Sequence, residues 1–348
     1  MQPISRHQEI EQLFPDMPSY RLKQCESALF QPVFQSWTDV SSLPLAMREQ
    51  LEKKIPWISV KELVVQESRS QDTCKALLEV AGGNQIETVL MQNHRGYWTV
   101  CVSSQVGCAM RCQFCSTGKM GLTRNLLADE IIDQYRYWIQ YVFKHPKLQQ
   151  RISNIVFMGM GEPLANYEHV KEAIHTILKY TEIGNTRITV STVGVLPRLE
   201  HILKDSEWPH VRLAVSLHSA DSETRKMIVP TSYEEFLPKL EDWARRYLIH
   251  FGNRRHHLTF EYVMLEGVND TMHHAKLLTN LINRVGNIRV NLIPYNFTDG
   301  SFNTSTSQTV DAFKSYLDKH HVTVTIRKTM GDDIAAACGQ LYTESKKS

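Results

Sequence analysis

The chain has 348 residues, 42% of them hydrophobic, which is enough to bury a large core in one big domain or two ordinary ones. Its net charge of only +2 does not indicate a broad basic surface for nucleic acid, so any RNA contact must be local. The seven cysteines are an odd number, and we find neither an apolar N-terminal run nor a stretch long enough to span a bilayer, so we expect a reducing cytoplasm and no membrane partner.

The first 84 residues are predicted to form a helical accessory domain. Amphipathic patterns predict helices over residues 8–14, 20–34, 45–54 and 60–67. We expect this domain to end near residue 84, because the hydrophobic pattern changes there.

From residue 86 onward, short β-branched runs alternate with longer helical patterns, which is typical of β/α units around a parallel sheet. The predicted strands cover residues 87–91, 98–103, 154–158, 187–191, 211–216, 258–264, 288–293 and 322–326. The predicted helices between them cover residues 128–143, 167–180, 234–247, 272–285 and 309–320. Six such repeats make an α/β fold, a partial (β/α)6 barrel of the TIM type over residues 85–300, followed by a C-terminal segment over residues 301–348.

Three cysteines, Cys108, Cys112 and Cys115, follow the predicted strand 98–103. Their spacing can hold three irons of a four-iron, four-sulfur cluster and leave the fourth iron open. S-adenosylmethionine (SAM) could chelate that iron, so that one electron cleaves it to a 5′-deoxyadenosyl radical. A zinc site or buried structural cysteines are the alternatives, but no fourth Cys or His follows Cys115 at short spacing. The triplet therefore favours a radical enzyme.

Glycines and polar residues follow other predicted strands. In the turn Gly159-Met160-Gly161-Glu162, the glycines allow close backbone approach and the Glu162 carboxylate can accept hydrogen bonds from the SAM ammonium. Ser191, Ser216-Leu217-His218 and Asn296 lie at three further strand ends. Each alone is more often a turn or a helix cap than a ligand. Together, at successive strand ends, they outline one pocket.

Two further cysteines bear on the reaction. Cys338 lies in a small-residue segment between Gly331 and Gly339, and Cys101 lies on the strand that leads into the triplet. Both thiols could reach the same cavity, or both could be buried core residues, as free cysteines often are.

Several motifs occur in the order found in a known family. They are residues 101–108, the triplet with residues 114–118, residues 159–164, Ser191-Thr192, Ser216-Leu217-His218, residues 290–294 and residues 327–341. On these motifs the chain resembles the RlmN/Cfr family of radical SAM RNA (adenine) methyltransferases, and most closely its RlmN-like members. The resemblance implies methylation of a ring carbon of an adenine in 23S ribosomal RNA, and for some members in transfer RNA.

The resemblance also implies a mechanism, because an electron-poor adenine carbon cannot attack the methyl group of SAM directly. Two SAM molecules would be used per turnover: Cys338 takes a methyl from one as a thiolate, and the other is cleaved at one 4Fe-4S cluster. The carbon radical then formed on the methylated cysteine adds to adenine. Cys101 would release the product through a disulfide with Cys338. Glu87 matches the family's proton acceptor, and an exposed strand carboxylate is the alternative for it.

The same resemblance implies ligands and partners. A flavodoxin-type or ferredoxin-type protein would donate the electron, and the N-terminal domain with Tyr20-Arg21-Leu22-Lys23-Gln24 would bind RNA. With no heptad run or apolar stripe, we expect a monomer. The SAM contacts would be Gly161, Glu162, Ser191, Ser216, Leu217, His218 and Asn296.

Some positions depart from the family pattern. Met330 stands where the RlmN branch commonly has arginine, Ala335 replaces a usual aspartate, and Thr231-Ser232 replace a more typical Ile/Val-Asn. Gly161-Glu162-Pro163 favours methylation at C2, as in RlmN, whereas the run at residues 20–24 and the C-terminal tail favour C8, as in Cfr. We expect C2. Methylation at C8, radical chemistry on a protein or small molecule, and an RNA-binding protein with a structural metal stay open as alternatives.

Overall fold

A computed structural model describes residues 4–252, 258–298 and 301–342. Residues 343–348 of the predicted C-terminal segment lie outside the described ranges. In these ranges, every helix is too short or too polar to cross a bilayer.

The chain begins with three helices, α1 (Arg6–Leu13), α2 (Ser19–Leu29) and α3 (Leu45–Lys54). The side chains of Ser5 and Gln8 form a capping box that starts α1. The helix predicted over residues 20–34 stops at Leu29, because Pro32 lacks the backbone N–H that another turn would need. A small core forms around Trp37, whose indole N–H donates to the Ile55 carbonyl at 2.8 Å.

The helix predicted over residues 60–67 is wrong. Lys61–Glu67 forms strand β1, which pairs antiparallel with β2 (Thr73–Val80), and β2 pairs antiparallel with β3 (Asn84–Gln92). Adjacent Val64 and Val65 favour extended backbone, and most β1 side chains are exposed, so burial imposes no helical period on them. The N-terminal region is therefore helical only as far as Lys54, and β1 and β2 extend the main sheet.

The remaining elements alternate between strand and helix. The strands are β4 (Trp98–Cys101), β5 (Gln105–Gly107), β6 (Leu122–Asn125), β7 (Ile152–Phe157), β8 (Ile188–Thr192), β9 (Arg212–Ser216), β10 (Leu258–Met264), β11 (Arg289–Pro294) and β12 (Thr323–Ile326). The helices are α4 (Ser116–Met120), α5 (Ala128–Lys144), α6 (Tyr167–Tyr180), α7 (Leu196–Ile202), α8 (Ser222–Ile228), α9 (Phe236–Phe251), α10 (Met272–Val285) and α11 (Ser307–Lys319).

The main sheet has the strand order β1-β2-β3-β4-β7-β8-β9-β10-β11-β12, and β5 and β6 form a separate hairpin. Within the main sheet, from β4 through β7 to β12, each strand pairs parallel with its neighbour, and at least one helix connects each pair. In the described residues, β1 and β12 are edges and the sheet does not close. These six β/α units confirm the predicted α/β partial barrel, which brings the carboxyl ends of the parallel strands to one side.

A buried ion-pair cluster joins α1 to the barrel helix α5. Asp133 on α5 is fully buried, and one carboxylate oxygen lies 2.5 Å from Nη2 of Arg6 while the other accepts a bond from Arg136. Arg136 also donates to the carbonyls of Leu29 at 2.7 Å and Trp57 at 2.8 Å. Burial alone would raise the pKa of Asp133, but Arg136 and Arg6 outweigh it and hold the pKa at about 2. The ionised Asp133 carboxylate thus ties the N-terminal helices to α5.

Candidate functional site

A cavity of about 920 Å³, counting the space at its open mouth, lies at the carboxyl ends of the parallel strands. Most of the residues predicted to form a site line it: Cys108, Cys112, Cys115, Gly161, Glu162, Ser191, Ser216, His218, Asn296 and Cys338. Glu87, Cys101 and Leu217 are not part of its lining. Strand ends far apart in sequence therefore converge on one pocket.

The three cysteines lie on a loop closed by the β5–β6 hairpin. Gly107, which precedes Cys108, has a φ of 75°, and a Cβ there would lie 1.8 Å from the Gly121 carbonyl oxygen. The Cys108 N–H donates to that same oxygen at 2.8 Å. Only glycine fits this close approach, which turns the loop so that Cys108, Cys112 and Cys115 all reach the cavity.

The chemistry of this donor set fits an iron–sulfur cluster. Burial raises the pKa of Cys112, and the neighbouring Cys115 and Cys108 raise it further, so three thiolates here need a compensating cation. In the described part of the chain, no three His, Cys, Asp or Glu side chains converge as ligands of a single metal ion. A cubane cluster takes one thiolate on each iron, so its ligands need not converge on one point.

The turn after β7 is shaped by two glycines. A Cβ on Gly159 would lie 2.7 Å from the Val102 carbonyl oxygen, and one on Gly161, whose φ is 99°, would lie 2.5 Å from Cβ of Gln105. The turn aims Glu162 at the cavity. Its carboxylate accepts the N–H of Val193 at 2.7 Å and that of Leu164 at 2.9 Å, which fixes its direction.

Burial raises the pKa of Glu162 to about 6, although the bonds from backbone N–H groups act against this rise. A cationic ligand in the cavity would favour its ionised form. The carboxylate has lone pairs beyond those used by the backbone, so it can still accept a bond from an ammonium group.

Ser191 and Ser216 lie at the carboxyl ends of β8 and β9, and His218 follows β9. The two serine hydroxyls lie 3.4 Å apart across the neighbouring strands. His218 has a φ of 58°, and its Nδ1 accepts the Val263 N–H at 3.1 Å. Burial, followed by the nearby Arg225, lowers the pKa of His218 to about 3, so the ring is neutral. Leu217, between Ser216 and His218 in the sequence, is fully buried in the main core, and its contact with SAM stays a prediction.

Cys338 lies on a segment docked across the cavity. The Gly339 carbonyl accepts the Ser116 N–H at 2.8 Å, and the Leu341 carbonyl accepts the Thr117 hydroxyl at 2.6 Å, so the segment is bonded to the helix that follows Cys115. Asn296, predicted as a SAM contact, donates to the Cys338 carbonyl at 3.1 Å. The Cys338 side chain is therefore exposed in the same cavity as the three cysteines.

Arg327 also lines the cavity, although no role there was predicted for it from the sequence. It follows β12, with Nη1 3.8 Å from the Glu261 carboxylate and 3.4 Å from the Met158 sulfur, to which it donates. Glu261 raises the pKa of Arg327, and the Cys338 thiol contributes through charge and a hydrogen bond. The one signal in the sequence is the position of Arg327 directly after a strand end.

Cys101 lies behind the cavity wall on β4. It is 5% exposed, and burial followed by the proximity of Cys338 raises its pKa to about 12. All seven cysteines belong to the described residues and are free, so Cys101 and Cys338 are not bonded in this structure.

Glu87 is also buried, which rules out the alternative of an exposed strand carboxylate. Its carboxylate lies 2.7 Å from Nζ of Lys75 and accepts the Tyr342 N–H at 2.8 Å. Lys75 in turn donates to the Ala335 carbonyl at 3.2 Å. Glu87 therefore lies beneath the segment that carries Cys338.

Comparisons with known proteins agree with this geometry. The family model described as "Radical SAM superfamily" matches residues 102–278. A radical SAM methyltransferase from Sphaerobacter thermophilus is 34% identical, with 97% of each chain covered and a TM-score of 0.88. A domain of pyruvate-formate lyase-activating enzyme from Bacteroides vulgatus is 18% identical, covers 51% of this chain and 99% of its own, and has a TM-score of 0.39, too low to bear on function.

Proposed function

Because the chain belongs to the radical SAM superfamily and matches a radical SAM methyltransferase over nearly its whole length, we propose that it methylates a ring carbon of an adenine in RNA. The proposed target is 23S ribosomal RNA, with transfer RNA as a second substrate, and C2 is the favoured position. The observation that carries this proposal is the exposed thiol of Cys338 in the cavity of the cysteine triplet. A radical enzyme that only removes hydrogen has no need of that thiol.

The proposal assigns the cofactors to the described cavity. Cys108, Cys112 and Cys115 would hold one 4Fe-4S cluster, and Glu162 would bind the ammonium group of SAM. When bound, the cluster and SAM supply one-electron cleavage of a carbon–sulfur bond and a radical that removes hydrogen. Two SAM molecules would be consumed per turnover.

Cys338 would act as the methyl carrier. Its thiolate would attack the methyl carbon of SAM, the bond from that carbon to the sulfonium would break, and S-adenosylhomocysteine would leave. Thiolates are the reactive form of cysteine, and a guanidinium that donates a hydrogen bond stabilises that form. Arg327 is placed to do so, since it lines the same cavity as Cys338 and the two groups interact through charge.

Cys101 and Glu87 would act after the carbon–carbon bond to adenine has formed. Glu87 would accept the ring proton. For this, the Tyr342 N–H must first release the Glu87 carboxylate. The one electron left on the adduct would pass to the bound cluster. Cys101 would then attack the sulfur of Cys338 as a thiolate, the bond from that sulfur to the methylene carbon would break, and the base would leave as an enamine that gains a proton to complete its methyl group. Both residues lie directly behind the docked segment, which supports a role that follows its movement.

The accessory helices are proposed to bind RNA. Tyr20 is 55% exposed, and the guanidinium of Arg21 lies 5.2 Å from its ring centroid. An exposed aromatic ring beside a cation can stack on an unpaired base and contact its phosphate. A flavodoxin-type or ferredoxin-type electron donor, a monomeric state and a cytoplasmic location complete the proposal.

Mass spectrometry of nucleosides from RNA treated with cluster-loaded protein tests the proposed function. We expect 2-methyladenosine, whereas 8-methyladenosine would move the protein to the Cfr-like reaction. Cys338→Ala should abolish methylation and leave reductive cleavage of SAM intact, and Cys74→Ala, at a buried cysteine away from the cavity, serves as the matched control. Full methylation by Cys338→Ala would exclude the methyl-carrier role, and no cleavage of SAM by the wild type would exclude the radical scheme.

A further inference from the structure

Arg225 on α8 is a buried arginine that binds the ends of two strands. It is 1% exposed, and its Nε donates to the Leu217 carbonyl at 3.0 Å. Its Nη2 donates to the carbonyls of Val193 at 2.7 Å and Ser216 at 3.4 Å. The guanidinium lies 3.7 Å from the ring centroid of Phe236. These contacts hold its charge behind the wall that Ser216 and Val193 form.

The positive charge of Arg225 has no carboxylate partner in the described residues. Burial lowers its pKa to about 9, and an ionised Cys112 would act against this fall. The buried arginines Arg6 and Arg136, by contrast, both pair with Asp133. A buried cation is costly unless an anion offsets it, so Arg225 calls for an anion on the side of Cys112.

We infer that Arg225 is the counter-charge of the iron–sulfur cluster and raises its reduction potential. This rests on the proposed ligation of the cluster by Cys108, Cys112 and Cys115. A four-iron cluster with a core charge of +2 and three thiolates has a net charge of −1, and one-electron reduction takes it to −2. Since net charge helps to set cluster potentials, a nearby buried cation favours the reduced form.

Arg225 is the cation whose charge acts on Cys112, whereas Arg327, which lines the cavity, lies beside Glu261 and acts on Cys338. His218, which also borders the cavity, is neutral because burial and Arg225 lower its pKa to about 3. The carbonyl groups that Arg225 binds are neutral acceptors. The charge therefore acts on the cluster, while the three hydrogen bonds hold the ends of β8 and β9.

The test separates charge from hydrogen bonding. Wild type, Arg225→Lys, Arg225→Gln and Arg225→Met are reconstituted anaerobically, and the cluster is titrated with dithionite and dyes while its reduced form is followed by electron paramagnetic resonance, without SAM. We expect Gln and Met to lower the equilibrium constant for one-electron reduction at least tenfold, which is 59 mV, and Lys to stay within threefold of wild type. Arg246→Gln, at a surface arginine paired with Glu200, is the control.

Each outcome decides the inference. A cluster that is lost in the neutral variants and kept in Arg225→Lys also supports it. Equal potentials in all variants, or an equal fall in Lys, Gln and Met, would overturn it, because charge would then not matter. If neither neutral variant folds, Arg225→Lys decides the test. A reduction potential that stays near that of the wild type would support the inference, and a lowered reduction potential would overturn it. A wild type that binds no cluster would refute the proposed ligation itself, which is a separate failure.

Discussion

Asp133→Asn should loosen the accessory helices from the barrel. The pKa of Asp133 falls from an ordinary 3.8 to about 2 because Arg136 and Arg6 outweigh the effect of burial. Each unit of pKa corresponds to about 1.4 kcal/mol, so ionisation of this carboxyl contributes about 2 kcal/mol at neutral pH. Since the folded pKa is depressed, that contribution is complete above about pH 5 and is lost as the pH falls from there towards 2.

Asp133→Asn should destabilise the attachment of the accessory helices more than protonation of Asp133 in acid does. An amide leaves the buried Arg136 without its anion and Arg6 with only the more distant Asp129, and removal of one partner of a buried pair typically costs about 3–5 kcal/mol. A loss of about 3 kcal/mol that falls on the attachment of α1–α3 would speed amide exchange there on the order of a hundredfold. Hydrogen–deuterium exchange of peptides from residues 6–54 measures this directly.

Asp129→Asn is the matched control. Asp129 lies 3.6 Å from the Arg6 guanidinium and accepts the Arg6 N–H, but its side chain is 19% exposed, so we expect a change of at most about tenfold. Exchange in residues 6–54 that is the same in Asp133→Asn and wild type would refute the reasoning. If these helices bind RNA, as proposed, Asp133→Asn should also lower RNA methylation more than cleavage of SAM.

Three further changes probe the cavity. Arg327→Met should slow methylation of Cys338 about tenfold to a hundredfold, since a charge-assisted bond is worth about 1.5–3 kcal/mol. Peptide mass spectrometry measures this rate, and Arg327→Lys should restore part of it. An unchanged rate in Arg327→Met would contradict the proposed role of Arg327. Cys101→Ala should accumulate a covalent protein–RNA adduct on denaturing gels, and release of product at the wild-type rate would contradict its role. Gly161→Ala should weaken SAM binding at least tenfold in calorimetry, because a Cβ there would lie 2.5 Å from a neighbouring side chain at a φ of 99°, whereas Gly184→Ala faces open space and should have no effect.

Elements whose pattern arises from their own burial were predictable from the sequence. Helices α6 and α10 have the predicted bounds, because each keeps one apolar face against the sheet over fourteen residues. Strand β10 also matches, since its residues are nearly all buried and β-branched or aromatic side chains are common in it. Short α7 and α8, with seven residues each, span too few turns to show a period and were not predicted.

The pattern of the triplet and the strand-end glycines is also local, because the spacing of thiols along one loop and a φ that only glycine tolerates are properties of a few consecutive residues. Pairings between distant segments are not local, and the sequence does not predict them. Lys61–Glu67 forms a strand because β2 lies beside it. The ion pair of Glu87 with Lys75 depends on the same added strands. The roles inferred for Arg225 and Arg327 depend on charges that lie far away in sequence, because Coulomb energy follows distance in space, and only the tertiary fold brings such groups together.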